Sequence, residues 1–240
     1  MGNLEAAIKE WVKEHPYLNQ IAQLQKIIAA VIKAYMVQEH QLAGIDTNRE
    51  QIEQEIKKGI PVLRATEIDG TIIKNAANLL IDIVDMLAAS NLPERIVQYS
   101  QQVRVIFSEN ADLAGRIIAE VIESNRVCAN HIGLPEIGKG FIVFLAWSAL
   151  ASTLGPLKKQ VSQLLTGQQW RKGYCPVCGQ LPAMGQLVRT KKGRERVLVC
   201  GCCQMKWPYR RIGCPYCGNN EQDTLKIIGM VEEPDLRIDT

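Results

Sequence analysis

Cys175-Pro176-Val177-Cys178-Gly179, then Cys200-Gly201-Cys202-Cys203, then Cys214-Pro215-Tyr216-Cys217-Gly218 punctuate the last third of this 240-residue chain. In a Cys-x-x-Cys turn both thiolates can face one ion, and a following glycine lets the backbone turn back with its amides toward the sulfurs. Two such turns on adjoining hairpins make a tetrahedral four-thiolate site. Gln186 to Thr190 and Arg196 to Cys200 read as short strands around the turn Lys191-Lys192-Gly193-Arg194. Cys175, Cys178, Cys200 and Cys203 are therefore expected to close a zinc-ribbon or rubredoxin-like site. Zinc is the expected metal, and four thiolates also accept iron.

Cys214 and Cys217 repeat the pattern 39 residues after Cys175. The same offset from Cys200 falls on position 239, where no cysteine stands. They are expected to be metal ligands, with the rest of their site open: another chain, Cys128 with His131, or none. Thr224 to Val231 and Leu236 to Ile238 read as strands around the turn Glu232 to Asp235. Cys202 lies outside the x-x spacing and is read as a bystander beside the metal. A thioredoxin-like reading is set aside, because no βαβ pattern surrounds these pairs.

Outward from the cysteines the chain changes character. Seven of the 8 cysteines lie between Cys175 and Cys217, so they describe a small module and not a secreted disulfide scaffold. Residues 170–240 carry 12 Lys+Arg against 7 Asp+Glu, while 1–169 carry 16 against 18. A net charge of +3 does not by itself indicate a polyanion-binding protein.

Residues 1–167 read as one all-α domain, and 168–240 as the metal-binding module. Ile21, Leu24, Ile27, Ile28, Val31, Ile32 and Tyr35 recur at helical steps, as do Leu79, Leu80, Ile83, Val84 and Leu87 between Thr71 and Ala89. Pro93 is placed to open a helix running to about Phe107, and Asn110 or Asp112 to cap the next. Phe141 to Leu154 reads as a central buried helix, Gly155-Pro156 as a break, and Leu157 to Leu165 as a last helical segment. Lys57 to Gly70 reads as a loop.

The helical part offers little chemistry. Cys128 and His131 can share a helical face, but ordinary packing is the preferred reading. There is no phosphate-cradling glycine loop, no His-Glu-x-x-His and no serine elbow in the sequence. The start of the chain lacks an apolar signal core, and Phe141 to Leu154 falls short of the ~20 residues that span a bilayer. A cytoplasmic protein without membrane insertion is expected. Its oligomeric state is not legible.

Trp170 ahead of Cys175-Pro176-Val177-Cys178-Gly179 with Pro182 following, and Cys200-x-x-Cys203-x-x-x-Trp207-x-x-x-Arg211-x-x-Cys214-x-x-Cys217, carry a resemblance. The chain resembles the formate dehydrogenase accessory protein family, FdhE. Gly59-Ile60-Pro61-Val62-Leu63 is similar to that family's Gly-x-Pro-Leu-Leu region. Two departures stand out: the family's last Cys-x-x-Cys pair is missing, and Lys206 replaces the acidic residue before the tryptophan. The resemblance implies a helical domain followed by rubredoxin-like metal sites. It also implies an accessory or chaperone role in formate dehydrogenase biogenesis, with the catalytic subunit as partner and no enzymatic turnover. Arg210, Arg211 and Trp207 are candidate docking anchors, while packing of Trp207 and Trp170 over the metal knuckle as the module's core is an equally weighted reading. Two other functions compete: a zinc-ribbon nucleic-acid-binding adaptor, which is set aside as a solvated basic loop, and a rubredoxin-like iron redox protein.

Overall fold

The computed structural model describes residues 2–38, 49–65, 70–124, 135–165, 170–190, 193–229, 231 and 237–239. It is mainly helical, with a small antiparallel sheet toward the C-terminus. The contacts divide the chain into two compact units, Met1–Ala43 with Asp69–Thr153, and Gly44–Ile68 with Leu154–Thr240.

The first unit contains α1 (Gly2–Glu14), α2 (Asn19–Gln38), α5 (Gly70–Ala88), α6 (Glu94–Glu109), α7 (Leu113–Ser124) and α8 (Glu136–Thr153). Helix α5 is its hub, packing against α2, α6, α7 and α8. Its position follows from a wide apolar face: Ile72, Ala76, Leu79, Leu80, Ile83, Val84 and Leu87 are all buried. A single strip of such spacing faces one neighbour, whereas this broader one faces several. Helix α7 contributes Leu113, Ile117, Ile118, Val121 and Ile122 to the same core, and α8 contributes Ile142, Leu145, Ala146, Ala149 and Leu150. Over Phe141 to Leu154 only Phe144 is exposed, so the apolar run forms a largely buried helix, as the sequence reading expects. Pro93 is the residue before α6 and Asn110 the residue after it, so Asp112, not Asn110, adjoins the start of α7.

The second unit contains α3 (Arg49–Lys58), α4 (Val62–Ala65), α9 (Gly155–Leu164) and the strands β1 (Pro182–Thr190), β2 (Gly193–Cys200), β3 (Lys206–Tyr209), β4 (Ile227–Gly229) and β5 (Arg237–Asp239). The expected loop between Lys57 and Gly70 thus holds the one-turn helix α4. The expected break is present: α8 ends at Thr153 and Gly155-Pro156 opens α9, consistent with the tolerance of a first-turn proline. Strands β1, β2 and β3 form one antiparallel sheet in that order, and β4 pairs with β5. A register irregularity between Pro182 and Met184 bends β1 beside the cysteines. Strand β3 has no counterpart in the sequence reading, because four residues containing Pro208 give no alternation to detect.

A candidate four-thiolate metal centre

Three knuckles share one backbone design. In the first, the Cys175 N–H donates to the Gln180 carbonyl at 2.9 Å and the Gly179 N–H returns to the Cys175 carbonyl at 2.9 Å. In the second, the Cys200 N–H donates to the Met205 carbonyl at 2.9 Å. In the third, the Cys214 N–H donates to the Asn219 carbonyl at 2.7 Å and the Gly218 N–H to the Cys214 carbonyl at 3.0 Å. The fifth residue of each turn is left-handed: Gly179 at φ 75°, Gln204 at φ 61° and Gly218 at φ 79°. Glycine adopts that conformation freely, while Gln204 bears a strain that the surrounding turn must hold.

The first two knuckles converge. Cys175, Cys178, Cys200 and Cys203 are buried, and their four sulfurs all lie within 4.8 Å of one another. Cys175 and Cys203 sulfurs are 3.5 Å apart, those of Cys178 and Cys200 3.4 Å, and those of Cys178 and Cys203 3.5 Å. A disulfide requires ~2.05 Å, so these are separate thiols. A tetrahedron with zinc–sulfur bonds of ~2.3 Å has edges of about 3.8 Å, between the 3.4 Å shortest separation and the 4.8 Å limit of the cluster. The donor set fits a thiophilic ion of the zinc or iron kind.

The electrostatics make the same point. Burial pushes the Cys175 thiol well above its ordinary range. Hydrogen bonding with Cys175 and then Cys200 and Cys203 pushes Cys178 up as well. Cys200 is held low because Cys175 and then Cys178 donate to it.

The scaffold around this centre comes from distant sequence. The Val62 and Leu63 N–H groups at the start of α4 donate to the Pro176 and Val177 carbonyls, each at 2.9 Å. The Tyr174 hydroxyl donates to the Gly59 carbonyl at 2.9 Å. A Cβ at Gly179 would stand 3.0 Å from Pro61 Cγ and 3.0 Å from Arg64 Nε, so the glycine also admits this loop. From α9, Lys158 Nζ donates to the Cys203 carbonyl at 3.1 Å. None of these supports is singled out for the metal site by the sequence. The Gly59-to-Leu63 match is the one signal that touches them.

Trp170 and Trp207 are each 1% exposed. Trp170 Nε1 donates to the Tyr174 carbonyl at 2.8 Å, and Trp207 Nε1 to the Lys172 carbonyl at 3.0 Å. Trp207 is therefore a core residue of the second unit and no docking anchor. Arg210 is engaged too, donating from Nη2 to the Gly218 carbonyl at 3.0 Å. Of the three expected contact residues, Arg211 alone is exposed.

The third knuckle is built but does not join the cluster. Arg196 Nη1 donates to the Gly213 carbonyl at 2.8 Å, and the Tyr209 hydroxyl to the Cys214 carbonyl at 3.3 Å. Backbone N–H groups of Cys217 and Tyr216 lower the Cys214 thiol. Cys214 is half-buried and Cys217 exposed. Among the described residues, no further His, Cys, Asp or Glu joins this pair in a group of three. Cys128 and His131 lie outside the described residues. Cys202 is half-buried, and its backbone N–H donates to the Cys200 sulfur at 3.4 Å.

No family model matches the chain. Two kinds of relative do. A protein FdhE homolog of Aquifex aeolicus is 27% identical over 183 residues, 76% of this chain and 58% of that protein. A protein FdhE homolog of Shewanella baltica is 31% identical over 94 residues, 38% of this chain and 30% of that protein. The crystal structure of the FdhE protein from Pseudomonas aeruginosa superposes with a TM-score of 0.51 at 18% identity, covering 94% of this chain and 72% of that one.

The chain resembles FdhE proteins.

The likeness to FdhE is in sequence for the Aquifex and Shewanella proteins and in fold for the Pseudomonas protein. The chain spans 58% of the length of the Aquifex FdhE homolog that it matches. No single helix among the described residues is long and apolar enough to cross a membrane.

Proposed function

We propose that the chain is an FdhE-type accessory protein, acting in formate dehydrogenase biogenesis by binding the catalytic subunit and catalysing no turnover reaction of its own. The observation that carries this reading is the buried Cys175, Cys178, Cys200 and Cys203 cluster in a chain similar to FdhE homologs. A thiolate-bound zinc, with iron as the alternative, is structural in this reading. When bound, it supplies the charge that lets all four sulfurs ionise and locks the second unit for docking.

Cys214 and Cys217 are half of a second metal site in the same reading. Support comes from their knuckle, which repeats the hydrogen bonds and the left-handed fifth residue of the Cys175 turn. The helical unit serves as the recognition surface, and the protein works in the cytoplasm.

Two measurements test this. Affinity capture with the purified chain should retain a formate dehydrogenase catalytic subunit from an extract that contains it. Failure beside a working positive control would count against the partner. Elemental analysis should give at least one thiophilic metal per chain, and a metal-free folded protein would remove the site.

A further inference from the structure

Strand β1 lies at the edge of its sheet, bonded to β2 on one side. Strand β3 pairs with β2 over Arg196 to Val199, so the outer part of the β1–β2 hairpin is a two-stranded arm. Apolar side chains of β1 are open to solvent: Met184, Leu187 and Val188 are 53%, 54% and 36% exposed. Long edges of this kind are normally guarded by charge, proline or a cover, because their free N–H and C=O groups template another strand. Here the irregularity at Pro182/Met184 guards one end, and among the described residues no strand pairs with the outer edge from Gly185 onward.

The charges beyond Leu187 point to the occupant. Arg189 and Arg194 are directly opposed across the hairpin and both are exposed. Like charges facing one another across strands destabilise a hairpin. No carboxylate among the described residues forms an ion pair with either. The neighbouring Glu195 lies 3.4 Å from the Thr190 hydroxyl instead. Arg196, one step inward, is already committed to the Gly213 carbonyl. The pair is therefore an unneutralised cationic step beside an apolar one, on the same face as Leu187.

We propose that the free edge of β1 receives an extended acidic segment of a partner protein as an added strand. Its carboxylates meet Arg189 and Arg194, and an apolar side chain two residues away rests on Leu187. Residues two apart on a strand lie ~6.6 Å apart on one face, matching the Leu187-to-Arg189 step. Main-chain bonding supplies the affinity in this mode, and the alternating side chains supply the selection. A nucleic acid would meet the same arginines, but residues 182–200 contain no aromatic side chain on which a base could stack. The inference is independent of which enzyme the protein serves.

The test uses the full metal-loaded chain and a fluorescein-labelled peptide, Glu-Thr-Val-Thr-Glu-Thr-Val-Thr-Glu. Saturable sub-millimolar binding is expected, with slowed amide exchange across Gly185 to Arg189. The Arg189→Glu/Arg194→Glu variant should weaken binding roughly tenfold or more through charge reversal. The milder Arg189→Gln/Arg194→Gln variant should also weaken it, and covers the case in which the first fails to fold. No binding of the acidic peptide, or equal binding of its lysine counterpart, overturns the proposal. So does stronger binding of oligothymidylate than of the peptide.

Discussion

The backbone N–H of Leu63 is bonded to the carbonyl of Val177 at 2.9 Å, from one end of α4 to the middle of the first cysteine knuckle. With Val62 on Pro176 and Tyr174 on Gly59, a short helical loop becomes part of the wall of the metal centre. The first knuckle then depends on residues far upstream as well as on its own turn. Metal binding and the packing of α4 are consequently expected to be coupled within the second unit.

Cys178→Ser tests that coupling. Losing one of four buried thiolates should abolish stoichiometric zinc binding, with structural zinc sites contributing about 10 kcal/mol or more to small modules. Elemental analysis should show the loss, and hydrogen exchange should show opening of the ribbon together with α4. Retention of α4 protection alongside an opened ribbon would contradict the coupling.

Tyr174→Phe removes a single hydroxyl from this wall. The Gly59 carbonyl loses its 2.9 Å partner, at a cost of about 1 kcal/mol. Trp170, whose ring meets Tyr174 edge-on at 5.3 Å, is the natural fluorescence reporter for the unfolding curve. The metal content should stay unchanged.

Gly173→Ala is a steric test of the third knuckle. A Cβ at that position collides with the Pro215 carbonyl oxygen, so backbone must shift. A destabilisation of roughly 1–3 kcal/mol is expected, concentrated at the Cys214 turn. Faster alkylation of Cys214, at unchanged metal content in the first centre, would locate it there.

The metal-free protein should lose stability in alkali, and the metal-bound protein should lose its ion in acid. Without metal, Cys175 and Cys178 have folded pKa values raised above the unfolded one. That preference for the protonated form stabilises the fold below the unfolded thiol pKa of about 8.5 and is lost as pH rises beyond it, whereas Cys200, held low, contributes stability that is lost as pH falls. With metal bound, acidification instead protonates the ligands and releases the ion. Thermal melts of both forms across neutral and alkaline pH, with metal release followed into acid, check the two signs.

Arg194→Glu should stabilise the β1–β2 arm. It converts an exposed like-charge cross-strand pair with Arg189 into an opposite-charge pair, a gain of about 0.2–1 kcal/mol. Amide exchange in the arm is the appropriate measurement. A stabilised but non-binding variant would show that the natural pair serves contact at the expense of stability.

Much of the architecture is legible in the sequence because it is local. The three- and four-residue steps of Leu79, Leu80, Ile83, Val84 and Leu87 anticipate α5, and the Cys-x-x-Cys spacing anticipates two converging knuckles. The sequence leaves Trp207 between core residue and docking anchor, and the exposure of Phe144 is not legible in it. Whether an aromatic ring lies inside or outside depends on what the fold brings over it, and composition carries no trace of that.

The sequence by itself determined where the longer apolar-faced helices and the metal-binding turns form, since those depend on backbone geometry over four or five residues; α1, α3 and α4 were not read from it. Only the tertiary structure decided that α3, α4 and α9 belong with the ribbon. It also decided that Val62, Leu63, Tyr174 and Lys158 hold the centre and that Arg189 faces Arg194. The physical reason is range: such contacts join residues with no shared local period, and chain folding alone chooses which unpaired carbonyls and charges meet.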